Sequence, residues 1–344
     1  MTDRELMQIA LPRIADWYAG NRRPLPWRDE PTPYRVWISE IMLQQTRIEA
    51  VIPYYERFLA ELPDVAALAA VEEDRLLKLW EGLGYYSRAR NLKKAAAEIM
   101  ARFGGALPAS AAELKTLPGI GDYTAGAIAS IAFGQGEPAV DGNVLRVVSR
   151  LLASGEDVML PATRRAVAAL LRESYPAGGR AALVTEGLME LGETVCVPNG
   201  EARCASCPLR GLCRAEAEGG VERYPLRTPP HPRRVEERTV QLLRCGGRTA
   251  IRRREGKGLL AGLWEFPSLD GAKTAEELHA LLPDALSIAP CGKSKHVFTH
   301  VEWRMTGYRV ELPAETPGCV WAGAEEIRES YSVPTAFRFY LKQL

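Results

Sequence analysis

From Glu5 to about Leu191 the apolar residues recur at helical spacing, Gly or Pro interrupts them every one to two dozen residues or so, and no convincing strand alternation appears. A stretch patterned this way folds as helices packed on helices, so an all-α domain is expected. The segments that read as helices are Leu6 to Tyr18, Val36 to Thr46, Ile48 to Leu59, Val65 to Ala70, Glu73 to Leu79, Arg88 to Phe103, Ala111 to Thr116, Tyr123 to Phe133, Val144 to Leu152, Thr163 to Ser174 and Ala181 to Leu191. At 344 residues the chain exceeds the usual size of one domain, and a second is expected.

Two breaks between these helices carry chemistry. Leu114 to Gly126 puts Leu117-Pro118-Gly119-Ile120-Gly121 between two helices, and the N–H groups that open the second helix can bind a phosphate. A Gly-x-Gly alone would say little; flanked by helices it matches the helix-hairpin-helix element of DNA-binding proteins. In Gly82-Leu83-Gly84-Tyr85-Tyr86-Ser87-Arg88-Ala89-Arg90, flexible glycines set two tyrosines beside two arginines at the start of a helix, which suits base stacking and phosphate binding. A core tyrosine pair with solvent-facing arginines fits the same residues equally well.

Two carboxylates stand out. On the helix Val36 to Thr46, Glu40 has Val36 and Trp37 below it and Leu43 and Gln44 above, a setting that strips hydration and favours the protonated acid. The plain alternative is a side chain whose tip reaches solvent. The prolines of Pro24-Leu25-Pro26-Trp27-Arg28 and Pro31-Thr32-Pro33-Tyr34 imply an extended, ordered approach to this helix. Later, in Val140-Asp141-Gly142-Asn143, Asp141 or Asn143 suits a helix N-cap. A fixed carboxylate beside a phosphate-gripping hairpin can also face a deoxyribose and stabilise an oxocarbenium-like sugar. Histidine offers little help, since His231, His279, His296 and His300 all lie in the last third; acid–base chemistry earlier in the chain must rest on carboxylates.

Cys196, Cys204, Cys207 and Cys213 lie within eighteen residues and include one close pair, a spacing that favours a four-thiolate 4Fe-4S cluster over zinc or disulfides. The net charge of +1 points to no polyanion by itself, 47% apolar residues suffice for packed cores, and no apolar run is long enough for a membrane span. A cytoplasmic protein, on DNA and nucleoid-associated if bacterial, is expected, without a membrane and as a monomer.

Beyond the cysteines, Tyr224 to Arg234 is dense in proline and arginine and reads as a linker. Arg238 to Leu243, Thr249 to Arg253, His296 to Phe298 and Met305 to Val310 then read as strands, with Thr274 to Leu282 and Ala336 to Lys342 as helices. The division expected is 1–220 for the all-α domain with its cluster loop at 196–213, 221–235 for the linker, and 236–344 for an α+β domain.

Together these features resemble the endonuclease III superfamily of base-excision glycosylases. Within it, Leu25-Pro26-Trp27-Arg28, Ser39 to Thr46, Gly82 to Arg88 and the appended domain resemble the MutY family of adenine glycosylases. The first cysteine gap is one residue longer than that family's usual one. Gly258 to Pro267 is similar to part of a Nudix-like domain, but Lys273 to His279 lacks the glutamate pattern that holds magnesium, so a reader of the opposite base is expected rather than a second enzyme. The resemblance implies removal of adenine from duplex DNA where it lies opposite 8-oxoguanine or guanine, with Glu40 as acid and Asp141 facing the sugar. Tyr123 and Asn143 would support them; Leu25, Trp27, Arg28 and Glu186 would surround the flipped base. Gln45 and Tyr85 would fill and wedge the opposite side, Arg88, Gly119 and Gly121 would meet the backbone, and Phe298-Thr299-His300 would read the opposite base. A lyase relative would carry a lysine where this chain has Tyr123, and a non-catalytic DNA-binding protein would need neither Glu40 nor Asp141.

Overall fold

The computed structural model describes residues 1–229 and 232–344; Pro230 and His231 of the expected linker lie outside the described residues. In chain order the helices are α1 (Asp3–Asn21), α2 (Pro26–Asp29), α3 (Pro33–Leu43), α4 (Ile48–Glu61), α5 (Val65–Ala70), α6 (Glu73–Leu79), α7 (Ser87–Phe103), α8 (Ala111–Leu114), α9 (Asp122–Phe133), α10 (Gly142–Leu152), α11 (Pro161–Arg172), α12 (Gly179–Thr194) and α13 (Arg214–Ala217). There follow β1 (Arg234–Cys245), β2 (Arg248–Arg253), β3 (Trp264–Glu265), β4 (Ser268–Asp270), α14 (Ala275–Leu281), β5 (Ser287–Val297), β6 (Val301–Glu311), β7 (Val320–Ala322), α15 (Ala324–Ser330) and α16 (Arg338–Leu341). They form two compact units: Met1–Ala70 with Asn91–Pro229, and Val71–Arg90 with Pro230–Leu344.

The first unit is all-α. Leu6, Leu11 and Ile14 of α1 pack with Val144, Val148 and Leu151 of α10 and with Val184, Leu188 and Leu191 of α12, each contributing about 1.5 to 3 kcal/mol of transfer free energy before entropy is subtracted. Helix α12 approaches the start of α10 so closely that a Cβ on Gly192 would stand 2.6 Å from the Asn143 Cβ; only glycine permits that contact. Two local expectations need correction. The Pro-rich approach is not wholly extended, because Pro26 at N1 starts the helical turn α2. Helix α3, which Thr32 caps by accepting the Arg35 N–H, stops at Leu43 instead of continuing to Thr46: Gln44 leaves helical geometry and Gln45 is left-handed at φ 59.

The second unit is α+β. Its sheet runs β3-β2-β1-β6-β5, with β4 also paired to β1 and β7 to β2. β1 and β6 are parallel, from Arg234 opposite Val301 to Arg244 opposite Glu311, and the other pairs are antiparallel. Phe266, Trp303, Phe337 and Tyr340 fill its core. Phe298 lies outside the strand expected for it, because β5 ends at Val297 and the N–H of Phe298 turns to the Val301 carbonyl at 2.8 Å. β3, β4, β7 and α15 were not expected; three of these are strands of two or three residues, too short to show an alternation.

Candidate active site

Helix α3 carries Val36, Ser39, Glu40 and Leu43 at the spacing of one helical face, and all four line a pocket in the first unit with Leu25, Trp27, Arg28 and Glu186. Glu40 is 6% exposed. Its Oε2 accepts a 2.5 Å hydrogen bond from the hydroxyl of Tyr123, in the first turn of α9. Burial pushes the Glu40 carboxyl up to about 7, and the charges of Asp141 and Glu186 add to that, against the Tyr123 hydrogen bond and the Arg28 charge, which pull it down. Burial also drives the Tyr123 phenol well above its usual range, so it remains a donor.

Asp141 serves as the N-cap of α10. Its Oδ1 accepts the Val144 N–H at 2.7 Å and its Oδ2 accepts the Asn143 amide at 2.9 Å. Asn143 is oriented in turn by Arg146, whose Nη2 donates to Asn143 Oδ1 at 2.7 Å and to the Gly192 carbonyl at 2.8 Å. Burial raises the Asp141 carboxyl, while Val144, Asn143 and Arg146 favour its ionised form. The cap and the restrained carboxylate are thus the same group.

The far wall is a charge network on α12. Arg28 donates through Nη2 to Glu190 at 2.8 Å and through Nη1 to the Arg23 carbonyl at 3.1 Å, and its Nε lies 3.7 Å from Glu186. Arg23 grips Glu190 with two hydrogen bonds of 2.5 and 2.9 Å. Burial works against an ionised Glu190, yet these two arginines hold it below its ordinary value; Glu186, with weaker partners, is raised chiefly by burial. Trp27 is 6% exposed and packs edge-on against Tyr55. Arg23, Glu190 and Arg146 escaped the sequence reading. Glu186 and Glu190 are four apart on one helix, a spacing that could have revealed the second of them.

In the hairpin between α8 and α9, Gly119 adopts φ 78, Leu117 and Ile120 are buried, and Gly121 is the exposed N-cap of α9. Gln45 is exposed at the end of α3.

The remaining candidates belong to the second unit. Tyr85, left-handed at φ 47 and 46% exposed, places its hydroxyl 2.7 Å from Thr299 Oγ1. Thr299 and His300 are exposed at the turn, and Phe298 packs against His296 and Trp303. Arg88 does not face solvent, where a phosphate would meet it: it is 8% exposed, donates to the carbonyls of Leu83 and Gly84, and lies over the rings of Trp80 and Tyr85.

The expected 4Fe-4S centre is also corrected. Cys196, Cys204, Cys207 and Cys213 line one cavity with Arg150, but among the described residues no group of three or more His, Cys, Asp or Glu could hold a metal ion. Two of the thiols bond to Arg150: Cys196 Sγ accepts from its Nη1 at 3.2 Å, and Cys213 donates to its carbonyl at 3.3 Å. Burial pushes the Cys207 thiol up to about 12, and its Sγ accepts the Leu209 N–H at 3.4 Å. Among the described residues no helix is long and apolar enough to cross a membrane.

A sequence profile described as HhH-GPD superfamily base excision DNA repair protein matches residues 38–177, and a NUDIX domain profile matches 239–343. The chain is 32% identical to adenine DNA glycosylase of Rattus norvegicus, across 95% of this chain and 77% of that one. It is 33% identical to the Homo sapiens adenine DNA glycosylase, across 96% and 73%. Among solved structures, a thermostable thymine-DNA glycosylase superposes with a TM-score of 0.56 at 26% identity, over 62% of this chain and 98% of that one. An endonuclease III in a non-covalent DNA complex gives 0.54 at 25% identity, over 64% and 99%.

Proposed function

The chain belongs to the adenine DNA glycosylase family, the DNA N-glycosylases of base-excision repair, and from that premise we propose that it removes adenine lying opposite 8-oxoguanine or guanine in duplex DNA. The adenine leaves the base stack, at a cost of roughly a few kcal/mol, and enters the pocket beside Leu25 and Trp27 with Arg28 and Glu186 at its polar edge. Glu40 gives its proton to a ring nitrogen of adenine. The C1′–N9 bond then breaks, its electron pair leaves with the base, and Asp141 faces the cation that remains on the sugar. Water adds to C1′ and releases a proton. Tyr123 holds the Glu40 carboxylate, Asn143 holds that of Asp141, and the amides at Gly119 and Gly121 grip the backbone. Tyr123 has no amine to form a Schiff base, so the reaction stops at base removal. In the second unit Phe298, Thr299, His300 and Tyr85 meet the opposite base; Gln45 fills the space the adenine leaves.

The observation that carries this reading is the environment of Glu40: buried, bonded to Tyr123 and raised to about 7, it can hold a proton at neutral pH. The test is base release from duplexes carrying adenine opposite 8-oxoguanine, guanine or thymine. Release from the first two and not the third is expected; no release from any of them would overturn the reading.

A further inference from the structure

We propose that Lys78 and Glu81 are positioning residues for recognition of the opposite base, because they lock the loop carrying Tyr85 to the segment that holds Thr299. The inference rests on the reading that these two hydroxyl residues face that base.

Lys78 is largely buried and spends its donors on Glu81 at 2.6 Å, on the Tyr331 carbonyl at 3.1 Å and on the Arg328 carbonyl. The other oxygen of Glu81 accepts the Val333 N–H at 2.8 Å, and Ser332 Oγ donates to the Leu77 carbonyl at 3.0 Å. The end of α6 and residues 328–333 are thereby clamped by polar bonds that exposure would weaken.

Two stiff paths lead away from this clamp. One follows the chain to Tyr85: Trp80 Nε1 donates to the Gly84 carbonyl at 3.1 Å, and Arg88 Nη2 donates to the carbonyls of Leu83 and Gly84 at 3.1 Å each. The other passes from buried Val333 into the aromatic core, where Phe337 meets Trp303 at 6.2 Å and Trp303 meets Phe298 at 4.9 Å, next to Thr299. The paths converge on the 2.7 Å contact between the Tyr85 and Thr299 hydroxyls. A hydrogen bond of that length tolerates little displacement, so loosening the clamp misplaces the pair without removing either hydroxyl.

The experiment measures single-turnover adenine release opposite 8-oxoguanine and opposite guanine for the full chain and for Lys78→Met, Glu81→Gln, Tyr85→Phe and Thr299→Val. The readout is the ratio of the two rate constants in one preparation, which does not depend on how much of that preparation is folded. All four variants are expected to lower the ratio, by about tenfold, the discrimination carried by roughly one good base contact. If Tyr85→Phe and Thr299→Val lower the ratio while Lys78→Met and Glu81→Gln keep it, or slow both substrates equally, the positioning role is refuted and the reading of the loop stands. If Tyr85→Phe and Thr299→Val both keep the wild-type ratio, the reading falls and takes the inference with it.

Discussion

Glu40→Gln should make the chain's stability less dependent on pH, by an amount that follows from the pocket. An ordinary glutamate titrates at 4.5 and Glu40 at about 7, a gap equivalent to about 3 kcal/mol at 1.36 kcal/mol per pH unit. The native chain holds that proton through this window while the unfolded chain has released it. Raised in the folded state, the group contributes stability that is fully present below 4.5 and is lost as pH rises through about 7. Glutamine titrates nothing. It also disturbs the bond to Tyr123, a cost common to every pH that drops out of the comparison. Urea denaturation of both proteins between pH 4.5 and 8, followed by far-ultraviolet circular dichroism, should show the variant gaining about 2 to 3 kcal/mol relative to wild type. A difference that stays constant with pH would mean that Glu40 titrates as an ordinary carboxylate and keeps no proton for adenine.

Asp141→Asn should slow adenine release about 10²- to 10³-fold through loss of charge opposite the sugar cation, with stability largely kept because the amide oxygen still caps α10; single-turnover kinetics and thermal melting check both halves. Tyr123→Lys places an amine beside Glu40 and should yield a borohydride-trapped DNA complex; trapping of wild type to the same extent would contradict a reaction that stops at base removal. His300→Ala should lower the preference for 8-oxoguanine over guanine by roughly tenfold and leave release opposite guanine little changed, as paired rate measurements would show.

Much of the first unit was legible because helical spacing and capping are local. The face made by Val36, Glu40 and Leu43 follows from period alone, and Asp141 followed by Gly142 and Asn143 reads as a cap in sequence and is one in the structure. What escaped depends on partners distant in the chain. Arg23 and Arg28 meet Glu190 across 167 and 162 positions, and Lys78 meets the Tyr331 carbonyl across 253, so no window of sequence contains both ends. Arg88 differs: its acceptors, Leu83 and Gly84, and the Trp80 ring beneath it lie within eight residues, but spacing alone does not say which way the loop turns the guanidinium, and its fold around Trp80 turns it inward. Cysteine spacing has its own weakness. It records how near the thiols are along the chain and nothing of their partners across it, and Cys196 and Cys213 bond to Arg150, 46 and 63 positions away.

The central claim, that Glu40 supplies the proton for adenine departure, is tested most directly by the pH profile of single-turnover adenine release from a duplex with adenine opposite 8-oxoguanine. An acid that titrates at about 7 predicts a rate constant that falls toward tenfold per pH unit above that value, and a Glu40→Gln variant that binds the duplex and releases almost no adenine at any pH. A variant that releases adenine at a near-native rate with the same alkaline fall would place the proton donor elsewhere.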